Sequence, residues 1–156
     1  MTTIQLILGA VIWLGLTFSA AWIGARFLPD EWYRKLAKPT WTPPNAIFAP
    51  VWTVLYLLMA IAAWLIWKGY GVAGAIVPLA LFIVQLTLNA MWSWLFFGRH
   101  HPQAALFDIV VLWVVILATL ISFLQLEPLA GILLIPYLAW VSFATALNWA
   151  IWRMNR

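Results

Sequence analysis

HHPQAALFDIVVLWVVILATLISFLQL, residues 100–126, carries a single carboxylate, Asp108, in a run built otherwise mainly from Leu, Ile, Val, Ala, Phe and Trp. About 20 consecutive apolar residues cross the ~30 Å hydrocarbon slab of a bilayer as a helix. A barrel strand would instead alternate apolar and polar residues over about ten positions, and this run does not. The same reading extends outward in both directions. Uncharged stretches run from Met1 to Ala25, Pro39 to Trp67, Gly69 to Gly98 and Pro128 to Trp152. The sequence therefore predicts an all-α membrane protein, one domain covering residues 1–156. Its five transmembrane helices are expected at about 4–26, 46–67, 75–97, 102–124 and 129–153, with a long lid loop at about 27–45.

Composition points the same way. Hydrophobic residues make up 67% of the chain and charged residues 8%, whereas about a quarter of a soluble domain is charged. All of the eight Lys/Arg and four Asp/Glu except Asp108 lie between or beyond the apolar runs. Met1-Thr2-Thr3 is neutral, unlike the basic start of a cleaved signal peptide, so the first run reads as a true helix. With no Cys present, disulfides, thiolate nucleophiles and Cys-ligated metals are excluded.

Five crossings place the N-terminus, the Lys68–Gly74 loop and the Gln125–Glu127 loop on one face. Arg26, Arg34, Lys35, Lys38, Arg99, Arg153 and Arg156 fall on the other, against Lys68 alone on the first. By the positive-inside rule the second face is cytoplasmic, with the N-terminus outside and the C-terminus inside. The net charge of +4 is thus a topology signal. No soluble recognition fold carries it, so nucleic acid is not an expected partner.

The stretch from Arg26 to Asn45 is long for a connection, and loops of that kind are commonly lids or binding segments. Pro29-Asp30-Glu31-Trp32-Tyr33 reads as a short helical turn capped by Asp30, and Pro39, Pro43 and Pro44 stiffen the return path. Its Trp and Tyr side chains suit either a lid or an anchor at the headgroups.

Polar residues inside a membrane normally face the bundle interior. Asp108, Thr119 and Ser122 share a face of the fourth helix; Gln85, Asn89 and Ser93 follow at four-residue spacing on the third; Trp140, Ala144 and Asn148 do so on the fifth; and Trp52 and Tyr56 stand one above the other on the second. These positions predict an aromatic-walled pocket beneath the long loop, with Asn89 and Asn148 offering amides to a ligand's polar rim. The competing reading is that such residues tie helices together. Of the 13 Trp, Trp13, Trp22, Trp64 and Trp113 are expected to face lipid. Asp108 has no nucleophile, metal cluster or second carboxylate beside it, and His100 and His101 point apart, so neither dark catalysis nor a metal site is expected.

These residues resemble the translocator protein family, also called tryptophan-rich sensory proteins or peripheral benzodiazepine receptors. The resemblance rests on Trp32-Tyr33, on Leu36 to Pro44 leading into Val51-Trp52 and Leu55-Tyr56, and on Val77-Pro78, Gln85, Leu88-Asn89 and Phe96-Phe97-Gly98. It continues with Asp108, Pro136 to Trp140, Ala144-Thr145 and Leu147-Asn148. It implies a five-helix bundle, commonly a homodimer in lipid, that binds protoporphyrin IX or haem and, in some members, cholesterol and benzodiazepine-site drugs. Carried over, the ligand-binding positions are Trp52, Asn89, Trp92, Ser93, Trp140, Ala144 and Asn148, with Tyr33 and Pro43 from the lid; Asp108 joins them from the reading of the intramembrane polar residues. Trp52 and Trp140 resemble the pair linked to light-dependent porphyrin breakdown. The implied function is a receptor or sensor that binds tetrapyrroles and regulates, transports or photodegrades them; the alternative is a sterol- or lipid-binding transporter. Two departures stand out: Trp149 occupies the place where the family's cholesterol pattern has Tyr, and Ala80-xxx-Val84 replaces a small-xxx-small pair expected at the dimer contact.

Overall fold

Thr2 opens the first span with a capping box: its hydroxyl accepts from the Gln5 N–H while the Gln5 side chain accepts from the Thr2 N–H. The helix that follows, α1 (Thr3–Gly24), is the first of five long apolar helices in the computed structural model, which describes residues 1–156. The lid carries a short helix, α2 (Glu31–Lys35). Next come α3 (Asn45–Gly74), α4 (Ile76–Ser93) with a π-helical extension at Trp94–Gly98, α5 (Pro102–Leu126), and a fifth span built from α6 (Pro128–Leu133) and α7 (Ile135–Met154). There are no strands. Each long helix is long and apolar enough to cross a membrane, and Ile4, Ile7, Val11, Val54, Val77, Phe107 and Val114 are exposed on the outside. In water such a surface would be a severe aggregation liability; in a bilayer it is the solvated face. The protein is a multi-pass membrane protein.

Two helix ends depart from expectation. The second helix does not stop near residue 67; it continues to Gly71, where the backbone leaves helical geometry, and a short further turn carries the chain to Gly74. Gly71, at φ 67° and ψ 177°, absorbs the bend within it, in a region that only glycine enters without strain. Tyr70 beside it donates its hydroxyl to the Leu126 carbonyl (2.6 Å), tying this end to α5. In the fifth span, Pro136 lacks the N–H that would continue the ladder, and the helix breaks at Leu134.

The helices close into a ring in which α1 packs on α3 and α4, α5 on α4 and α7, and α3 on α6 and α7. One half of the bundle is solid. There Met59, Ala62, Ala63, Ile66, Phe82, Ile116 and Phe123 are fully buried, and the small alanines let α3 approach its neighbours closely. Trp13 belongs to this core, 7% exposed and edge-on to Phe82 at 5.8 Å, which corrects the expectation that it faces lipid. Trp22 is exposed as expected. Trp64 and Trp113 are only partly so, since their indole N–H groups donate to the Leu6 carbonyl (3.0 Å) and the Ser142 hydroxyl (2.7 Å).

Candidate functional site: a lidded aromatic cavity

A layer of hydrogen bonds separates the solid half from the open one. Tyr56 donates its hydroxyl to Asn89 Oδ1, Asn89 Nδ2 donates to the Tyr137 hydroxyl, and Tyr137 donates to Gln85 Oε1, each at 2.7 Å. All four side chains are buried. In hydrocarbon an unpaired polar group is costly, so this chain of partners holds α3, α4 and α7 in register.

Above that layer lies a cavity of about 530 Å³, within the range of small-molecule sites. Phe18, Ala21 and Gly24 line it from α1, Phe48, Trp52 and Tyr56 from α3, Asn89, Trp92, Ser93 and Phe96 from α4 and its extension, and Trp140, Phe143, Ala144 and Asn148 from α7. Tyr33 reaches in from the lid. Eight of the anticipated positions thus meet at one hollow: Tyr33, Trp52, Asn89, Trp92, Ser93, Trp140, Ala144 and Asn148.

Two do not. Asp108 is buried on the α5 face that also carries Ala105, Ile109 and Leu112, and no residue of α5 lines the cavity. Neither of its carboxyl oxygens has a hydrogen-bond partner. Thr119 and Ser122 on the same helix return their hydroxyls to its own carbonyls, at Val115 and Thr119. Helix α1 takes the place that α5 was expected to fill, and its contribution was missed because Phe18, Ala21 and Gly24 carry no polar signal. Pro43 also lies away from the hollow, on the extended return path of the lid.

The amides are less free than anticipated. Asn148 Oδ1 accepts from the Trp92 indole N–H (2.9 Å) and its Nδ2 donates to the Pro102 carbonyl (2.9 Å), while Asn89 is held by two tyrosines. Both residues therefore tie helices together and fix the walls. Trp92 is held further by stacking on Phe96 (5.2 Å, 25°). The indole N–H groups of Trp52 and Trp140, like the hydroxyls of Tyr33 and Ser93, have no hydrogen-bond partner within the protein, so these four lining residues keep unused donors. Trp52 leans on Tyr56 at 5.6 Å and Trp140 on Phe143 at 5.5 Å.

The lid is anchored piece by piece. Asp30 caps α2 by accepting from the Tyr33 N–H (3.1 Å), as its sequence position foretold. That bond, with the contact to His100, holds the Asp30 carboxyl below its ordinary pKa. Lys38 folds back onto the C-terminal end of α2, donating to the Tyr33, Arg34 and Leu36 carbonyls (2.7, 3.3 and 3.1 Å). Its ammonium is therefore engaged rather than free for an incoming carboxylate. Tyr33 is 3% exposed, edge-on to Phe97 at 5.4 Å, and burial pushes its phenol up from the ordinary value. The π-helical turn places Phe96 and Phe97 beneath it, and sequence periodicity gave no sign of that turn.

Residues 3–153 match the TspO/MBR family. The chain is similar to the tryptophan-rich protein TspO of Chlorobaculum tepidum, 40% identical over 96% of this chain and 97% of that protein. It is likewise similar to the tryptophan-rich sensory protein of Cereibacter sphaeroides (42%, over 91% of each) and to the human translocator protein (42%, over 85% of this chain and 82% of that one).

Proposed function

The chain belongs to the TspO/MBR family, and from that premise we propose that the lidded cavity of this membrane receptor takes up a flat aromatic ligand of the tetrapyrrole class, protoporphyrin IX or haem. The observation that carries the reading is the chamber itself: about 530 Å³, faced by Trp52, Trp92 and Trp140, with two unpaired indole donors. Indole faces are large, rigid and polarisable, so they stack on a conjugated macrocycle at little entropic cost. The Trp52 and Trp140 N–H groups supply direction toward its acceptor atoms. Propionates would lie toward the lid rim, where Arg34 and Arg99 are exposed; Lys38 is already used. In this reading the lid end, with its excess of basic residues, faces the cytoplasm, and two copies of the chain associate in the membrane.

Stacked against a bound pigment, Trp52 and Trp140 also sit where an excited porphyrin would meet an oxidisable ring, so light-dependent breakdown would follow from the same geometry. A sterol in the chamber is the competing occupant, favoured by its mainly apolar lining. Titration with protoporphyrin IX, read by quenching of Trp fluorescence, tests the assignment. Saturable quenching in the native chain, weakened at least several-fold in the Trp52→Phe, Trp140→Phe double variant, is expected. Equal apparent affinity in the two proteins would refute the assigned pocket.

A further inference from the structure

His100 is the one non-glycine residue with positive φ (52°), in the tight connection between the π-helical turn and α5. That conformation carries its imidazole onto the lid. Nε2 lies 2.8 Å from Asp30 Oδ2, and the ring stacks on Trp32 at 4.4 Å with 15° between planes. Asp30 and Trp32 flank the start of α2, the helix that delivers Tyr33 to the cavity. The lid is pinned a second time, farther along: Asn155, just beyond α7, accepts from the Ala37 N–H (3.0 Å) and donates to the Ala37 carbonyl (2.8 Å). One pin is titratable and the other is not.

We propose that the contact of His100 with Asp30 and Trp32 is a proton-sensitive latch on the lid, closing the cavity at acid pH and loosening it as pH rises. The proposal rests on the reading of the cavity as a ligand site, whose access the lid controls. The groups around His100 leave Asp30 as its carboxylate. Glu31 pairs with Lys35 (3.5 Å), Arg99 lies over Trp94, the His101 ring accepts from the Ala104 N–H, and Arg153 and Arg156 lie over Trp149 and Trp152.

A lowered pKa keeps Asp30 ionised across neutral pH, so its charge is lost only under strong acid. The charge-assisted bond, and the stronger stacking of a cationic ring on Trp32, exist only while the imidazole carries its second proton; once that proton is lost as pH rises, a neutral hydrogen bond remains. Both partners are partly exposed, at 40% and 43%, so added salt weakens the latch as well.

The test uses the full chain in lipid nanodiscs and two readouts. Hydrogen-exchange protection of the lid amides reports opening without any ligand. Dissociation of bound protoporphyrin IX reports access to the cavity. In the native chain, protection should fall and dissociation should quicken about 2- to 5-fold between about pH 5.5 and pH 8, the range expected for an exposed ion pair. Asp30→Asn retains the helix cap and His100→Asn tolerates positive φ, so both should fold and lose the pH dependence. Because they leave the porphyrin's own titration untouched, they separate it from the latch. Asn155→Ala should open the lid faster at both pH values with the pH ratio intact. Protection that is independent of pH, or equally pH-dependent in Asp30→Asn, would overturn the latch. Protection that tracks pH in a protein that binds no porphyrin would sustain the latch and overturn the tetrapyrrole reading instead.

Discussion

Replacing Asn89 by Leu removes the centre of the hydrogen-bonded layer and provides a stringent test of the packing account. The substitution conserves shape but takes away the acceptor of the Tyr56 hydroxyl and the donor to Tyr137. Tyr137 keeps its bond to Gln85, whereas Tyr56 is left with a buried hydroxyl and no partner. An orphaned buried donor costs about 1–3 kcal/mol, and interhelical bonds in membranes average about 0.6 kcal/mol, so Asn89→Leu should destabilise by about 2 kcal/mol. Tyr56→Phe alone leaves one lone pair of Asn89 unused and should cost about 1 kcal/mol. In the double variant no hydroxyl is stranded, and its cost should stay near about 2 kcal/mol rather than reach the additive value of about 3. Reversible unfolding of the four proteins in mixed micelles measures the coupling directly. Additivity to within about 0.3 kcal/mol would show that the two groups do not act as one network.

Glycines give sharper contrasts. A Cβ on Gly9 would run into the six-membered ring of Trp67, while one on Gly15 meets open space. Gly9→Ala should lower thermal stability, by about 1–3 kcal/mol, and Gly15→Ala should leave it unchanged or raise it by up to about 1 kcal/mol. Gly71 is also free of neighbours, so Gly71→Ala isolates the cost of its positive φ; a loss of about 1–3 kcal/mol is expected in the same assay.

The spans were legible because an apolar run of bilayer length has few other uses, and the Asp30 cap was legible because it acts on its own backbone. Partnership between helices was not. Helical phase shows that Asp108 points inward but not which neighbour it meets, and no residue of its helix lines the hollow. Asn89 and Asn148 were found by spacing, yet spacing does not reveal that tyrosines, an indole and the Pro102 carbonyl already hold their amides. Apolar lining from α1 looks like any lipid-facing helix, and Trp13 looked lipid-facing for the same reason. The glycines of residues 69–74 read as a loop, but helix persists as far as Tyr70 and the chain turns only at Gly71, the one of the three with a positive φ. The pairing of Asp30 with His100 spans 70 positions and becomes visible only in three dimensions.

The central claim, that a ligand fills the chamber walled by separate spans, is tested most directly by chemical protection. The chain has no cysteine, so Ala144→Cys places a unique thiol in the cavity lining. Protoporphyrin IX should slow its modification by a small maleimide, with the same concentration dependence as fluorescence quenching. Modification that proceeds equally fast at saturating porphyrin would mean that the pigment binds elsewhere.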